Sequence, residues 1–195
     1  MIFDIDGEII DDEIGLLQES LFHLDFKISS VDALIRETVD PDGASLCDRG
    51  EHFIGLGFVA CQKYLAATYG PAKIQKREAL QFGPVFDEAV FTIKIIDATA
   101  NYWKHSDEWD TIGFLWEIHS EWKTIRPRIK KHLSNQARQT VQSTEIATPW
   151  GDYTCSNVLA AVVGDRKCEL RSLLPLLVEW RDAFAQRAIF SRGAS

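Results

Sequence analysis

Along the first fifth of the chain, Ile10, Ile14, Leu17, Leu21, Leu24, Ile28, Val31 and Ile35 recur in unbroken alternating steps of four and three. Polar and charged residues fill most of the intervals. That period predicts one amphipathic helix of roughly seven turns. Only the first five residues, with Ile2, Phe3 and Ile5, have strand character. After the long helix, Pro41-Asp42-Gly43 and Arg49-Gly50 read as a loop. A second helix is predicted over 52–69, with Phe53, Leu56, Val59, Ala60, Tyr64 and Ala67 on one side and Gly70-Pro71 as its stop. A short helix over 72–81 follows. Pro84 suits the first turn of a third major helix running to Trp109.

Beyond it the pattern predicts helix over 114–126, broken by Pro127. The polar stretch 130–145 reads as a helix or a mobile basic arm. Ser156 suits the cap of a helix ending at Val163. Gly164 closes that helix, Asp165 caps a last one to Phe190, and Pro175 kinks it. The fold class is therefore all-α: a single-domain bundle over 1–195, with about five to seven helices and a long N-terminal amphipathic one.

Composition narrows the class. With 195 residues, 46% apolar and 11% aromatic, the chain can bury one sizeable core. No run approaches the length of a membrane span, and the acidic start is unlike a secretory signal. Cys47, Cys61, Cys155 and Cys168 show no C-x-x-C spacing, which suits reduced thiols in the cytoplasm. Charge is unevenly spread. Residues 1–51 carry 14 acids against three bases, whereas 123–144 carry Lys123, Arg126, Arg128, Lys130, Lys131 and Arg138 with no acid. That basic block suits RNA phosphates or an acidic protein surface, including the N-terminal segment of its own chain.

Candidate chemistry concentrates near the end of the third helix. There Asp97, Asn101, Lys104, His105 and Glu108 recur at steps of three and four, placing five polar groups on one stripe. Trp103 and Trp109 flank it. The echo Trp103-Lys-His-Ser-Asp-Glu-Trp109 and Trp116-Glu-Ile-His-Ser-Glu-Trp122 supplies His and Glu, but no recognised metal-ligand spacing, so no metal and no cofactor is expected.

Three resemblances follow from these residues. Phe53-Ile-Gly-Leu-Gly-Phe-Val-Ala-Cys-Gln62, Asn101-Tyr-Trp-Lys-His105 and Trp180-Arg-Asp-Ala-Phe184 resemble a bacterial family of helical proteins with no activity attached. A polar residue, a base and a histidine at a helix end resemble HEPN-type proteins, an all-α group that includes metal-independent ribonucleases and defence toxins. Their signature is an arginine, often followed by a polar residue, with a histidine four to six residues on. Asn101 and Lys104 substitute for it before His105, and Arg126-Pro-Arg-Ile-Lys-Lys-His132 repeats the spacing with proline after the arginine. The resemblance implies His105 as general base or acid, Lys104 on the pentacoordinate phosphate, Asn101 on a phosphate oxygen, Glu108 holding the imidazole, and the 123–138 bases on the RNA backbone.

Finally, Ile2-Phe-Asp-Ile-Asp-Gly7 and Val162-Val-Gly-Asp-Arg-Lys-Cys-Glu169 resemble two motifs of haloacid-dehalogenase-type hydrolases. That likeness implies Asp4 as nucleophile, Asp6 as acid/base, and Asp165 with Glu169 on magnesium. Glu8 stands where the family has threonine, and the unbroken helical repeat from Ile10 to Ile35 follows directly, so the match is read as accidental. The leading expectation is a bundle that acts through a protein partner or as a homodimer, of the antitoxin, immunity or assembly type.

Overall fold

The computed structural model describes residues 2–5, 8–72, 74–87, 90–105 and 153–192. It is an all-α helical bundle, with two short two-stranded hairpins as its only sheets among those residues. The first hairpin pairs β1 (Ile2–Ile5) with β2 (Glu8–Asp11), antiparallel, with Ile2 opposite Asp11.

Helix α1 (Asp12–Glu37) spans 26 residues and so confirms the long N-terminal helix, but it starts two residues later than the periodicity suggested. The reason is local. Asp11 is extended (φ −135°), belongs to β2, and its carboxylate accepts hydrogen bonds from the Glu13 and Ile14 amides. Ile10 thus sits at the helical step in sequence but on a strand in space. Helix α2 (Leu46–Tyr69) begins six residues before the predicted start and packs along α1.

A single 3₁₀ turn (Gly70–Ala72) and the one-turn α3 (Lys76–Ala79) replace the helix predicted over 72–81. The third major helix does not open at Pro84. A second hairpin, β3 (Val85–Asp87) with β4 (Val90–Phe91), takes that stretch, and α4 runs only from Thr92 to Lys104. The segments predicted helical over 114–126 and 130–145 lie outside the described residues.

Helix α5 (Thr154–Val163) ends at Gly164, whose φ of +58° favours a residue without a Cβ. Asp165 does not cap the next helix. A 3₁₀ turn (Leu170–Leu173) intervenes, and α6 (Leu174–Arg192) starts there. Pro175 therefore lies in a first turn, where its missing N–H costs nothing, and no kink is needed.

One core joins these helices. It is built from Leu17 and Leu21 of α1, Phe58, Cys61 and Leu65 of α2, Ile93 and Ile96 of α4, Val158 and Leu159 of α5, and Leu177 and Trp180 of α6. Two carboxylates, one buried and one half-buried, hold the C-terminal half in register. Asp25 of α1 accepts from the Leu170 and Arg171 amides (2.7 and 3.1 Å) and from Arg171 Nε (3.0 Å), capping the 3₁₀ turn from another element. Glu51 of α2 does the same for α5, accepting from the Cys155 and Ser156 amides and the Ser156 hydroxyl. The cap predicted for Ser156 is thus supplied by α2, and Ser156 sits inside the first turn.

Close helix contact is enforced where α2 meets α4. A Cβ added at Gly55 would meet the indole of Trp103, a rigid ring. Gly55→Ala is therefore expected to destabilise the fold by about 1–3 kcal/mol, as overpacking does. Urea titration followed by far-UV circular dichroism measures it, and an unchanged midpoint would refute the contact.

Candidate functional site

The polar stripe of α4 is where sequence and structure meet. Asp97, Asn101 and Lys104 do come together, and two residues from other elements join them. Gln62 on α2 places its amide nitrogen 2.7 Å from Asp97 Oδ1, 3.2 Å from the Asp97 carbonyl oxygen and 3.0 Å from Asn101 Oδ1. Its amide oxygen accepts from Lys104 Nζ at 2.6 Å. Asn101 Nδ2 donates to Asp97 Oδ2 (3.3 Å), and Lys76 of α3 reaches Asp97 Oδ1 at 2.7 Å.

The physics of this cluster is that of a buried carboxylate paired with a lysine that stays 42% exposed. The Asp97 side chain is 9% exposed, so its carboxylate must be matched. Lys76 supplies the charge, while Gln62 and Asn101 occupy further lone pairs. The arrangement ties α2, α3 and α4 together. Asn101 is bonded to Asp97, and the exposed Lys104 donates to Gln62.

His105 does not continue the stripe as a helical residue. It is the exposed C-terminal cap of α4, with φ −112° and ψ 12°, and its amide donates to the Tyr102 carbonyl. Trp103 turns the other way, packing over Gly55 and edge-on to His52 at 5.4 Å between ring centroids. Glu108, Trp109, His132 and the bases Lys123, Arg126, Arg128, Lys130, Lys131 and Arg138 lie outside the described residues, as does Asp6. Of the other dehalogenase-motif positions, Asp165 is exposed and Glu169 forms ion pairs with Lys167 and Arg171.

Gln62 and Lys76 were not among the residues the sequence pointed to. The available signal was weak: Gly55, Phe58, Gln62 and Leu65 follow the same alternating steps, so Gln62 is a polar residue at a core position. For Lys76 there was no signal, because its partner lies 21 positions away on another helix.

A second buried polar cluster surrounds Asp11. Its Oδ2 accepts from the Tyr64 hydroxyl (2.6 Å) and from Arg181 Nη1 (3.1 Å), while its other oxygen caps α1. Burial, and then the bond to Asp11, push the Tyr64 phenol upward, so it remains a donor. No thiol is poised as a nucleophile. Burial pushes Cys61 up to about 12 and raises Cys155, which also faces Glu51. A hydrogen bond with Asp42 raises Cys47, and burial raises Cys168. Among the described residues, no group of three or more His, Cys, Asp or Glu is placed to hold a metal ion, and no helix is long and apolar enough to cross a membrane.

Comparison of the chain with family models, with curated proteins and with solved structures found no match.

Proposed function

We infer that this protein is a binding protein that acts through a macromolecular partner, in the manner of an antitoxin, immunity or assembly subunit. The observation that carries the reading is the outer face of α1. Phe22, Phe26, Leu16 and Leu34 all stand exposed on it, in a bundle whose inner face of α1 is already packed. Large exposed side chains gathered on one helix face are a docking feature, whereas scattered single ones are not. Around them run Asp12, Glu19, Asp32 and Glu37, with Lys27 and Arg36 as the only bases of the helix. The four protonated free thiols suit a reducing compartment such as the cytoplasm.

The test places a photo-crosslinking amino acid at Phe26, and separately at exposed Lys94 on α4, in the cells that make the protein. Adducts of discrete mass are expected from position 26 and not from position 94. The same pattern from both sites, or none from either, would remove the reading.

A second reading rests on His105, exposed beside Lys104 at the end of α4. In it the imidazole serves a metal-independent ribonuclease of the HEPN kind, with the 123–138 bases on the RNA. The binding reading expects purified protein to leave a mixed-sequence RNA intact in EDTA. Cleavage that His105→Ala abolishes in a folded protein would put the ribonuclease in its place.

A further inference from the structure

Helix α1 carries two heptad seams, and only one of them is used. Ile14, Leu17, Leu21, Leu24, Ile28 and Val31 form the inner seam and pack into the bundle or lie buried. On the opposite side Gly15, Glu19, Phe22, Phe26, Ser29 and Ala33 follow steps of four, three, four, three and four, and every one of the six is exposed. Such alternation is the spacing by which one helix packs against another. The order along this outer seam is also nearly palindromic: small, polar, phenylalanine, phenylalanine, polar, small.

We propose that the outer seam of α1 is the self-association surface of the protein, pairing α1 antiparallel with α1 of a second copy about a two-fold axis midway between Phe22 and Phe26. This rests on the binding reading above and names its partner. A two-fold interface needs a patch complementary to itself, each residue facing a mate whose own mate is the first. Centred there, Phe22 faces the partner's Phe26, Glu19 faces the partner's Ser29, and Gly15 faces the partner's Ala33. The small residues let the backbones approach at both ends while four rings fill the middle.

The flanks agree with the same axis. Leu16 (61% exposed) and Leu34 (44% exposed) lie on one side of the seam. In the antiparallel register each Leu16 comes within two residues, about 3 Å along the axis, of the partner's Leu34. On that same side Glu19 comes as close to the partner's Lys27, giving two symmetric opposite-charge pairs. Within its own helix Glu19 already leans to within 3.9 Å of His23, on that flank. Phe22 is likewise preset: the Arg171 guanidinium sits 5.2 Å from its ring centroid, and Arg171 is itself fixed by Asp25. A helix of this length is about 39 Å long. Pairing two such faces buries on the order of 1,000 Å² in total, the threshold for a specific interface, so the dimer is reversible and weak.

Sedimentation equilibrium of the full chain, from low micromolar to several hundred micromolar, reads the association. A reversible monomer–dimer equilibrium is expected, and Phe26→Glu should weaken it at least tenfold while leaving the thermal melt unchanged. The register is read separately, in a Cys168→Ser background, by mixing Glu19→Cys chains with Ser29→Cys chains under mild oxidation. The mixed disulfide should form in preference to either homodisulfide. A monomer at every concentration, a dimer indifferent to Phe26→Glu, or preferential homodisulfides would each overturn the proposal. The crosslink at position 26 separates the two levels of inference. An adduct with a different protein refutes the second copy and leaves the binding reading standing, whereas no adduct refutes both.

Discussion

Replacing Trp180 with alanine is expected to destabilise the protein by about 3–5 kcal/mol, the range for emptying a buried aromatic site. Trp180 is fully buried. It stacks on Phe184 with 5.6 Å between ring centroids, meets Tyr64 edge-on, and donates its indole N–H to the Ala79 carbonyl at 2.7 Å. Its backbone also lies against Gly83: a Cβ there would come within 2.7 Å of Trp180 Cα, so the neighbouring loop cannot readily close over a void. Alanine thus leaves both a cavity and a buried carbonyl without its donor. Trp180→Phe keeps most of the stacking and loses the hydrogen bond, so it should fall well short of the alanine loss. Urea denaturation followed by far-UV circular dichroism measures both. Against native stabilities commonly about 5–15 kcal/mol, the alanine loss is a large share of the whole. A loss below about 1.5 kcal/mol would mean that the core does not close around this ring.

Asp25→Ala should come close behind, at about 2–4 kcal/mol. It strips a buried acceptor from two amides and a guanidinium, combining the loss of a cap with the breaking of a buried ion pair. The figure lies below that of a fully buried pair because Arg171 is 39% exposed and can rehydrate. Asp25→Asn keeps an acceptor and should recover part of the loss. Hydrogen exchange gives the local signature: the Leu170 and Arg171 amides should lose protection in Asp25→Ala before the middle of α2 does. If both amides stay protected, the cap is not what orders that turn.

Much of this architecture was legible in the residues. The inner seam of α1, the apolar run of α2 and the glycine stop of α5 follow from spacing and local backbone preference, which act over a few positions. The misreadings share one cause. Ile10 precedes Ile14 by a helical step, and Pro84 suits a first helical turn, yet β1 with β2 and β3 with β4 fold as hairpins too short to establish their own period. Pro84 reads as a helix opener from the residues after it, and Pro175 as a kink from the helix start placed before it at Asp165. In space, Pro84 leads into a strand, and Pro175 lies in the first turn of a helix that starts nine residues after Asp165.

At the candidate site, the stripe of Asp97, Asn101 and Lys104 could be read because it lies on one helix. What it meets could not. Gln62 and Lys76 arrive from elements 35 and 21 positions away from Asp97, and no local pattern reports such a meeting. For the same reason the hydrogen bonds of Asn101 to Asp97 and of Lys104 to Gln62 could not be foreseen. A group's availability depends on its neighbours in space, not on its type.

The two borrowed helix caps have a consequence for how the chain comes together. Asp25 and Glu51 belong to the first two helices to be synthesised, while the amides they receive lie about 145 and 105 positions later. The helical hairpin of α1 and α2 is a local structure that closes quickly, with its two carboxylates already in place. Residues 154–163 and 170–173 then find their starting points as sites to dock on, rather than as signals of their own. The N-terminal pair is thereby expected to serve as the template on which the C-terminal half is ordered, with the late loop closures as the slow steps.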